Sequence, residues 1–298
     1  MSKRILTVVM VLAMAFGLNG LALAGNTGDV DQTGPSNYAV ISQDGDLNNA
    51  DVVQESDTIG NDAYITQVGN EDIATITQIG DGNTATQTQN GSTNNQATIL
   101  QTSSVDPSLN VATQTQDGSE NVAYIEQIDD STENTATQNQ TGTGNQAKIT
   151  QDLSATGSLS SQTQIGGDNI ARIWQSGNLA IASQYQDGTG NDAYIGQDGV
   201  GNQGWQTQYG KYNIAFIDQW SSGNYAYQYQ NGEDNNAKIL QYGGDGNVAY
   251  QTQTGDFNTA LADQNGSSNF SSQTQTGSDH SSTVTQTGVG NVSYVTQN

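Results

Sequence analysis

The chain has 298 residues with no cysteine, a single histidine (His280), and 6 Lys plus Arg against 30 Asp plus Glu, for a formal charge of −24. This excludes disulfides, thiolate metal sites and cysteine nucleophiles, and it disfavours a nucleic-acid partner, which needs clustered cations against phosphate. With 33% apolar residues and 35 glycines, a large globular core is not expected.

Lys3 and Arg4 precede a nearly unbroken apolar run from Ile5 to Leu18, and Ala22-Leu23-Ala24 follows as a small-x-small signal. This predicts a secretory signal peptide over 1–24, cut between Ala24 and Gly25. The run is short for a membrane span, which takes about 20 residues. Residues 25–36 read as a short export or linker segment, and 37–298 as one repeat domain.

The repeat has the form N-x-A-x-[I/Q]-x-Q. Asn61, Ala63, Ile65 and Gln67 make one copy, and Asn83, Ala85, Gln87 and Gln89 another. Twenty-three units are found from Asn37 to Gln297, and 16 of the 22 steps between them are 11 residues. Columns at i, i+2, i+4 and i+6 have strand periodicity, so all four side chains share one face. A seven-residue strand and a four-residue turn, rich in the Gly, Asn and Asp that tolerate positive φ, account for the step.

The fifth position alternates. Even units carry an apolar residue, such as Ile76, Ile195 or Ile239, whereas most odd units carry Gln, from Gln87 through Gln206 to Gln273. Two strands therefore make one turn of about 22 residues. Five of the six longer steps follow even units, so insertions gather at one edge, with Pro107 in the longest.

These features predict an all-β fold: a two-stranded-per-turn β-solenoid of 11–12 rungs, cross-β in character, about 55 Å long at about 4.8 Å per rung. The inward ladder comprises residues such as Asn61, Ala63, Ile65, Gln67, Asn83, Ala85, Gln87, Gln89, Asn191, Ala193, Ile195, Gln197, Asn202, Gln206 and Gln208. Buried amides need hydrogen bonds, and stacked copies of one another can supply them. Soluble solenoids usually cap their ends. Here the repeat runs to Gln297, and the terminal odd units carry Ile41, Ile65 and Val295 in place of Gln. The end rungs, with Asn37, Ile41, Gln43, Asn291, Val295 and Gln297, are expected to make subunit contacts that build a fibre. Turn acids such as Asp44, Asp46, Asp187, Asp198 and Asp245 are expected to oppose lateral aggregation.

The pattern Q-x-G-x-x-N-x-A-x-x-x-Q, seen at Gln78, Gly80, Asn83, Ala85 and Gln89, resembles the curlin repeat, and the resemblance extends over 37–297. It implies a subunit of curli, extracellular functional-amyloid fibres of the biofilm matrix. It further implies export through a dedicated outer-membrane channel, assembly from a nucleator subunit at the cell surface, and roles in adhesion and cell aggregation. The chain has about twice the repeats usual for curlins, and its low Lys/Arg content resembles a major subunit more than a nucleator.

Other readings compete. His280 stands at an Asn position and reads as a tolerated substitution; neither enzyme chemistry, a metal site nor a cofactor is expected. Outward Thr86, Thr88, Thr113 and Thr115 suggest an ice-binding face on a capped soluble solenoid, but Trp205, Tyr225, Tyr227 and Tyr229 interrupt it. Those aromatics suit either glycans or local stacking. Lys148, Arg172 and Lys238 share one outward position and suggest pairing with acids of a neighbouring protofilament.

Overall fold

A computed structural model describes residues 25–104, 107–153 and 155–298. The leader read in 1–24, including Ala24, lies outside the described residues. The fold is all-β, and the described residues form 24 strands in chain order. The first eight are β1 (Thr27–Thr33), β2 (Tyr38–Asp44), β3 (Asn49–Glu55), β4 (Asp62–Asn70), β5 (Ile73–Ile79), β6 (Thr84–Thr93), β7 (Gln96–Thr102) and β8 (Val111–Ser119). Then come β9 (Val122–Gln127), β10 (Thr135–Thr143), β11 (Gln146–Gln151), β12 (Leu159–Gly167), β13 (Ile170–Gln175), β14 (Ile181–Thr189), β15 (Asp192–Asp198) and β16 (Gln203–Lys211). The last eight are β17 (Ile214–Trp220), β18 (Tyr225–Glu233), β19 (Asn236–Tyr242), β20 (Val248–Thr254), β21 (Thr259–Asn265), β22 (Phe270–Thr276), β23 (Ser281–Thr287) and β24 (Val292–Gln297).

Odd strands form one 12-stranded sheet and even strands a second, each in the order of the chain. All pairs are parallel, and equivalent repeat positions face one another: Ile195 opposes Ile217, and Gln206 opposes Gln228. A parallel neighbour two strands on is what a continuously coiled chain delivers, since each strand alone leaves its ladder groups unpaired. The described residues make twelve rungs.

Two details differ from the sequence reading. Residues 25–36 are not a linker throughout: Thr27–Thr33 form β1, paired with β3 so that Val30 opposes Val52 and Gln32 opposes Gln54. Asn26, Gly28, Val30 and Gln32 carry the repeat with Gly in the Ala column. Strands and turns also depart from seven and four residues. Most even strands run for 9 residues, and only Glu71 and Asp72 separate β4 from β5. This tight edge is closed by residues at positive φ, including Glu71, Glu120, Asp168, Tyr212 and Asp234. The opposite edge accommodates the longer insertions, and there Thr132 and Thr156 of successive loops form a bridge.

Glycine is required where the chain leaves the even sheet. Gly210 has φ +101°, and a Cβ there would lie 2.1 Å from the Gly232 carbonyl oxygen of the next rung. Stacking at strand spacing leaves no room for a side chain at that bend.

Candidate functional site

The core is one residue thick from each sheet. Its apolar part is the Ala column of both sheets with the Ile column of the odd sheet, from Val52 through Ile76, Ile125 and Ile195 to Ile239, all buried. Complete burial of an Ile side chain contributes about 1.5–3 kcal/mol, so this column is the main apolar term in each rung.

The remainder of the core is amide. Three ladders run along the axis. In the odd sheet, Gln175 donates to Gln197 and Gln197 to Gln219 at 2.9 and 2.8 Å. In the even sheet, Gln67 donates to Gln89, Gln89 to Gln116 and Gln208 to Gln230, each at 2.9 Å. The fifth-position ladder runs from Gln87, which donates to Gln114 at 3.0 Å, through Gln206, which donates to Gln228 at 2.9 Å. The same amides tie the sheets together: Nε2 of Gln206 and of Gln208 also donates to the carbonyls of Tyr194 and Asp192, at 2.8 and 3.1 Å. Every one of these glutamines is buried. Donation along two directions satisfies both Nε2 hydrogens.

The Asn columns seal the turns. Asn191 Nδ2 donates to Asn169 Oδ1 and to the Gly210 carbonyl, each at 3.1 Å, and Asn213 N–H donates to Asn191 Oδ1 at 3.0 Å. Asn61 and Asn202 donate to turn carbonyls of the next rung, Gly80 and Ser221, each at 2.7 Å. Asn83 N–H donates to Asn61 Oδ1 at 2.9 Å. The two amide types have opposite polarity: Gln donors point toward the C-terminal rung, and Asn donors within the column point toward the N-terminal rung. Ala63, Ala85, Ala193, Ile65 and Ile195 fill the spaces between.

At the two ends the same columns lose cover. Among the described residues, β1 and β2 form one edge of the two sheets, and β23 and β24 the other. At the N-terminal face, Val30, Gln32, Ile41 and Gln43 are only partly buried, with Gln43 donating inward to Gln67 at 2.8 Å and Asn37 Oδ1 accepting from Asn61 N–H at 2.9 Å. At the C-terminal face a shallow depression is lined by Val284, Gln286, Asn291, Ser293 and Val295. Gln297 Oε1 there accepts from Gln275 at 2.8 Å, and its Nε2 donates to the Ser281 carbonyl at 3.0 Å. The fifth-position Gln ladder stops short of both faces. Ile65 precedes Gln87, leaving Gln87 Oε1 without a partner, and Gln273 ends the ladder by donating to Ser282 Oγ at 3.0 Å. Both faces are thus apolar at the fifth position and amide at the seventh.

The outward residues are engaged within the chain. Lys148 pairs with Glu126 at 3.0 Å and Arg172 with Asp192 at 2.5 Å, while Lys238 lies over the Phe216 ring at 5.1 Å. Within the chain these three cations meet groups on adjacent rungs, the nearest partners a stacked fold provides. Burial and donation to Glu126 push the Tyr124 hydroxyl up to about 12. Aromatic rings pack against one another in tilted pairs: Trp205 with Tyr225 at 4.8 Å, and Tyr225 with Tyr250 at 5.4 Å between centroids.

Sequence reasoning missed two buried acids at the turns, Asp72 and Asp81. Asp72 is visible as a departure from the Asn column, whereas Asp81 lies outside the repeat columns. The Asp81 carboxylate accepts the N–H groups of Asp57, Thr58 and Ile59 at 2.8–2.9 Å and the Thr58 hydroxyl. Burial alone would raise its pKa, but these donors outweigh burial and hold it below the ordinary carboxylate range.

Two stretches of the chain, residues 24–55 and 255–288, match the curlin associated repeat. They contain the first and the last described odd strands. No curated protein matches the chain.

Proposed function

We propose that this chain, a member of the curlin repeat family, is a secreted structural subunit that adds end to end to copies of itself, forming an amyloid-like fibre of the cell surface and biofilm matrix. The observation that carries the reading is the match between the two end faces. A second copy placed one strand spacing beyond β23 and β24 sets its Val30 on Val284 and its Ile41 on Val295. Gln286 and Gln297 then stand below that copy's Gln32 and Gln43, in the relation each Gln has to the next along the ladder. Uncovered edge strands favour such pairing. Residues Asn37, Ile41, Gln43, Asn291, Val295 and Gln297 are the contacts in this reading, and the inward columns are the scaffold that holds them in register.

Export after removal of 1–24, passage through a curli channel, nucleation by a companion subunit, and roles in adhesion and aggregation belong to the same proposal, supported by the repeat match and the leader pattern. The test is a polymerisation time course of residues 25–298 followed by thioflavin fluorescence and electron microscopy. Fibres that appear after a lag, with the lag removed by preformed seeds, are expected. A chain that stays monomeric and β-rich would refute the reading.

A further inference from the structure

In the column that precedes the odd strands, Asn occupies every rung from Asn48 to Asn258 except the third, where Asp72 stands. Asp72 is completely buried. Its backbone N–H donates to Asn48 Oδ1 at 3.0 Å, and its Oδ1 accepts the N–H and Nδ2 of Asn95 at 2.9 and 3.1 Å. In these contacts it does what an Asn would do. Its Oδ2 has no hydrogen-bond partner.

The neighbouring rungs show what that position requires. Nδ2 of Asn48, Asn95 and Asn121 donates to the turn carbonyls of Gly69, Gly118 and Gly142, at 2.9, 2.8 and 2.9 Å. The equivalent carbonyl for the third rung belongs to Gly91. A Cβ placed on Gly69 would meet Gly91 O at 2.6 Å and Asp72 Oδ2 at 2.7 Å. At the corresponding Gly188 a Cβ would meet Gly210 O and Asn191 Nδ2, the pair that is hydrogen-bonded there. Asp72 Oδ2 therefore sits where a donor belongs, beside a carbonyl oxygen. An ionised carboxylate only accepts, whereas the protonated acid carries one O–H donor.

We propose that Asp72 is a proton-binding site of the folded solenoid: it is held as the neutral acid, its Oδ2–H donates to the Gly91 carbonyl, and ordering of the third rung takes up one proton. The surroundings agree. Burial pushes the Asp72 carboxyl up, against the two Asn95 bonds that hold it down. The charged groups on the stacked turns around it, Asp44, Asp46 and Glu71, are all exposed acids, and the ion pairs among the described residues lie elsewhere.

The sign of the pH effect follows. In the unfolded chain Asp72 ionises near the ordinary value of about 3.9. Its folded value is raised, so the third rung has its full stability below the unfolded pKa and loses it as pH rises toward the folded pKa. Within that window the ordered fraction falls about tenfold per pH unit relative to a chain with Asn at this place. The rung is a weak point at neutral pH that acid strengthens, in a lone solenoid or in a fibre.

The test is hydrogen exchange of the ordered full chain between pH 5 and 8, corrected for intrinsic rates, on a peptide spanning 62–102 and a reference spanning 135–151, a stretch with no acid. Protection of 62–102 relative to the reference is expected to fall with rising pH in the wild type and to stay flat in Asp72→Asn. Glu71→Gln, which removes the same charge from the exposed neighbour, is expected to keep the wild-type slope. A flat wild-type profile, or an Asp72→Asn profile parallel to the wild type, would overturn the proposal. A Glu71→Gln profile as flat as that of Asp72→Asn would overturn it too, by assigning the effect to net charge.

Discussion

Replacing Gln208 by Lys tests the inward ladder at a single atom pair. Gln208 is completely buried; its Oε1 accepts from Gln186 Nε2 at 2.8 Å, and its Nε2 donates to Gln230 Oε1 at 2.9 Å and to the Asp192 carbonyl at 3.1 Å. A Lys ammonium keeps a donor for Gln230 and Asp192 but removes the acceptor for Gln186, which retains only the Ile170 carbonyl at 2.9 Å. The lost hydrogen bond costs about 1 kcal/mol. The uncompensated buried charge costs several kcal/mol more. A total of about 4 kcal/mol lowers the ordered fraction of that rung by about a thousandfold. Because each rung contacts only its neighbours, the damage divides the stack at β16 and does not loosen it evenly. Denaturant titration followed by circular dichroism, with seeded elongation rates beside it, reads the effect. Thr207→Lys, one residue away and outward, adds the same charge and is expected to change stability by less than about 0.5 kcal/mol. If the two variants behaved alike, the ladder would not be the source of order and the reasoning would fail.

Further outcomes follow from the turns and the outward face. Gly201→Ala, where a Cβ meets nothing within 4 Å, is expected to cost about 1–2 kcal/mol for left-handed backbone alone, whereas Gly210→Ala, which drives a Cβ into the Gly232 carbonyl, should cost clearly more; paired denaturant midpoints compare them. Asp81 has the opposite sign from Asp72: its folded pKa is depressed, so its stabilisation is present above the ordinary carboxylate range and is lost as pH falls through the folded value. Acid titration with hydrogen exchange over 57–81 should show that loss in the wild type and not in Asp81→Asn. Ultraviolet titration should find Tyr124 resisting ionisation to about pH 12, and the difference from Glu126→Gln should show it moving back toward the ordinary range as the acceptor's charge is removed.

The period of 11, the two-sheet alternation and the inward columns were legible because a strand reports its buried face every second residue and the stack repeats that report at each rung. The first strand was not, since Gly28 stands in the Ala column and one irregular copy carries little signal. Ladder polarity was also invisible: Asn and Gln donate and accept equally well in a sequence, and direction is set only when Gln208 Nε2 must reach both Gln230 and the Asp192 carbonyl. The turn acids illustrate the same limit. Asp72 and Asp81 are the same residue type nine positions apart, yet one faces a carbonyl and the other gathers four donors, a difference that depends on where neighbouring rungs place their backbone. The partners of Lys148 and Arg172 within the chain were not legible either, because Glu126 and Asp192 lie 22 and 20 residues away and meet them only through stacking.

The joint between subunits is tested most directly by disulfide trapping, since the chain has no cysteine of its own. Thr27→Cys and Ser281→Cys are introduced in separate chains, which are mixed, polymerised and oxidised. If the sheets continue across the joint, Thr27 of one copy lies opposite Ser281 of the next, as Thr259 lies opposite Ser281 within the chain, inside the roughly 4.4–6.8 Å Cα separation a disulfide spans. Thr285→Cys is four residues out of register with Thr27→Cys, about 13 Å along the strand, and should give no cross-linked dimer. Efficient trapping of the first pair with little of the second is the predicted result. Equal trapping of both pairs, or none from either in well-formed fibres, would contradict the end-to-end joint.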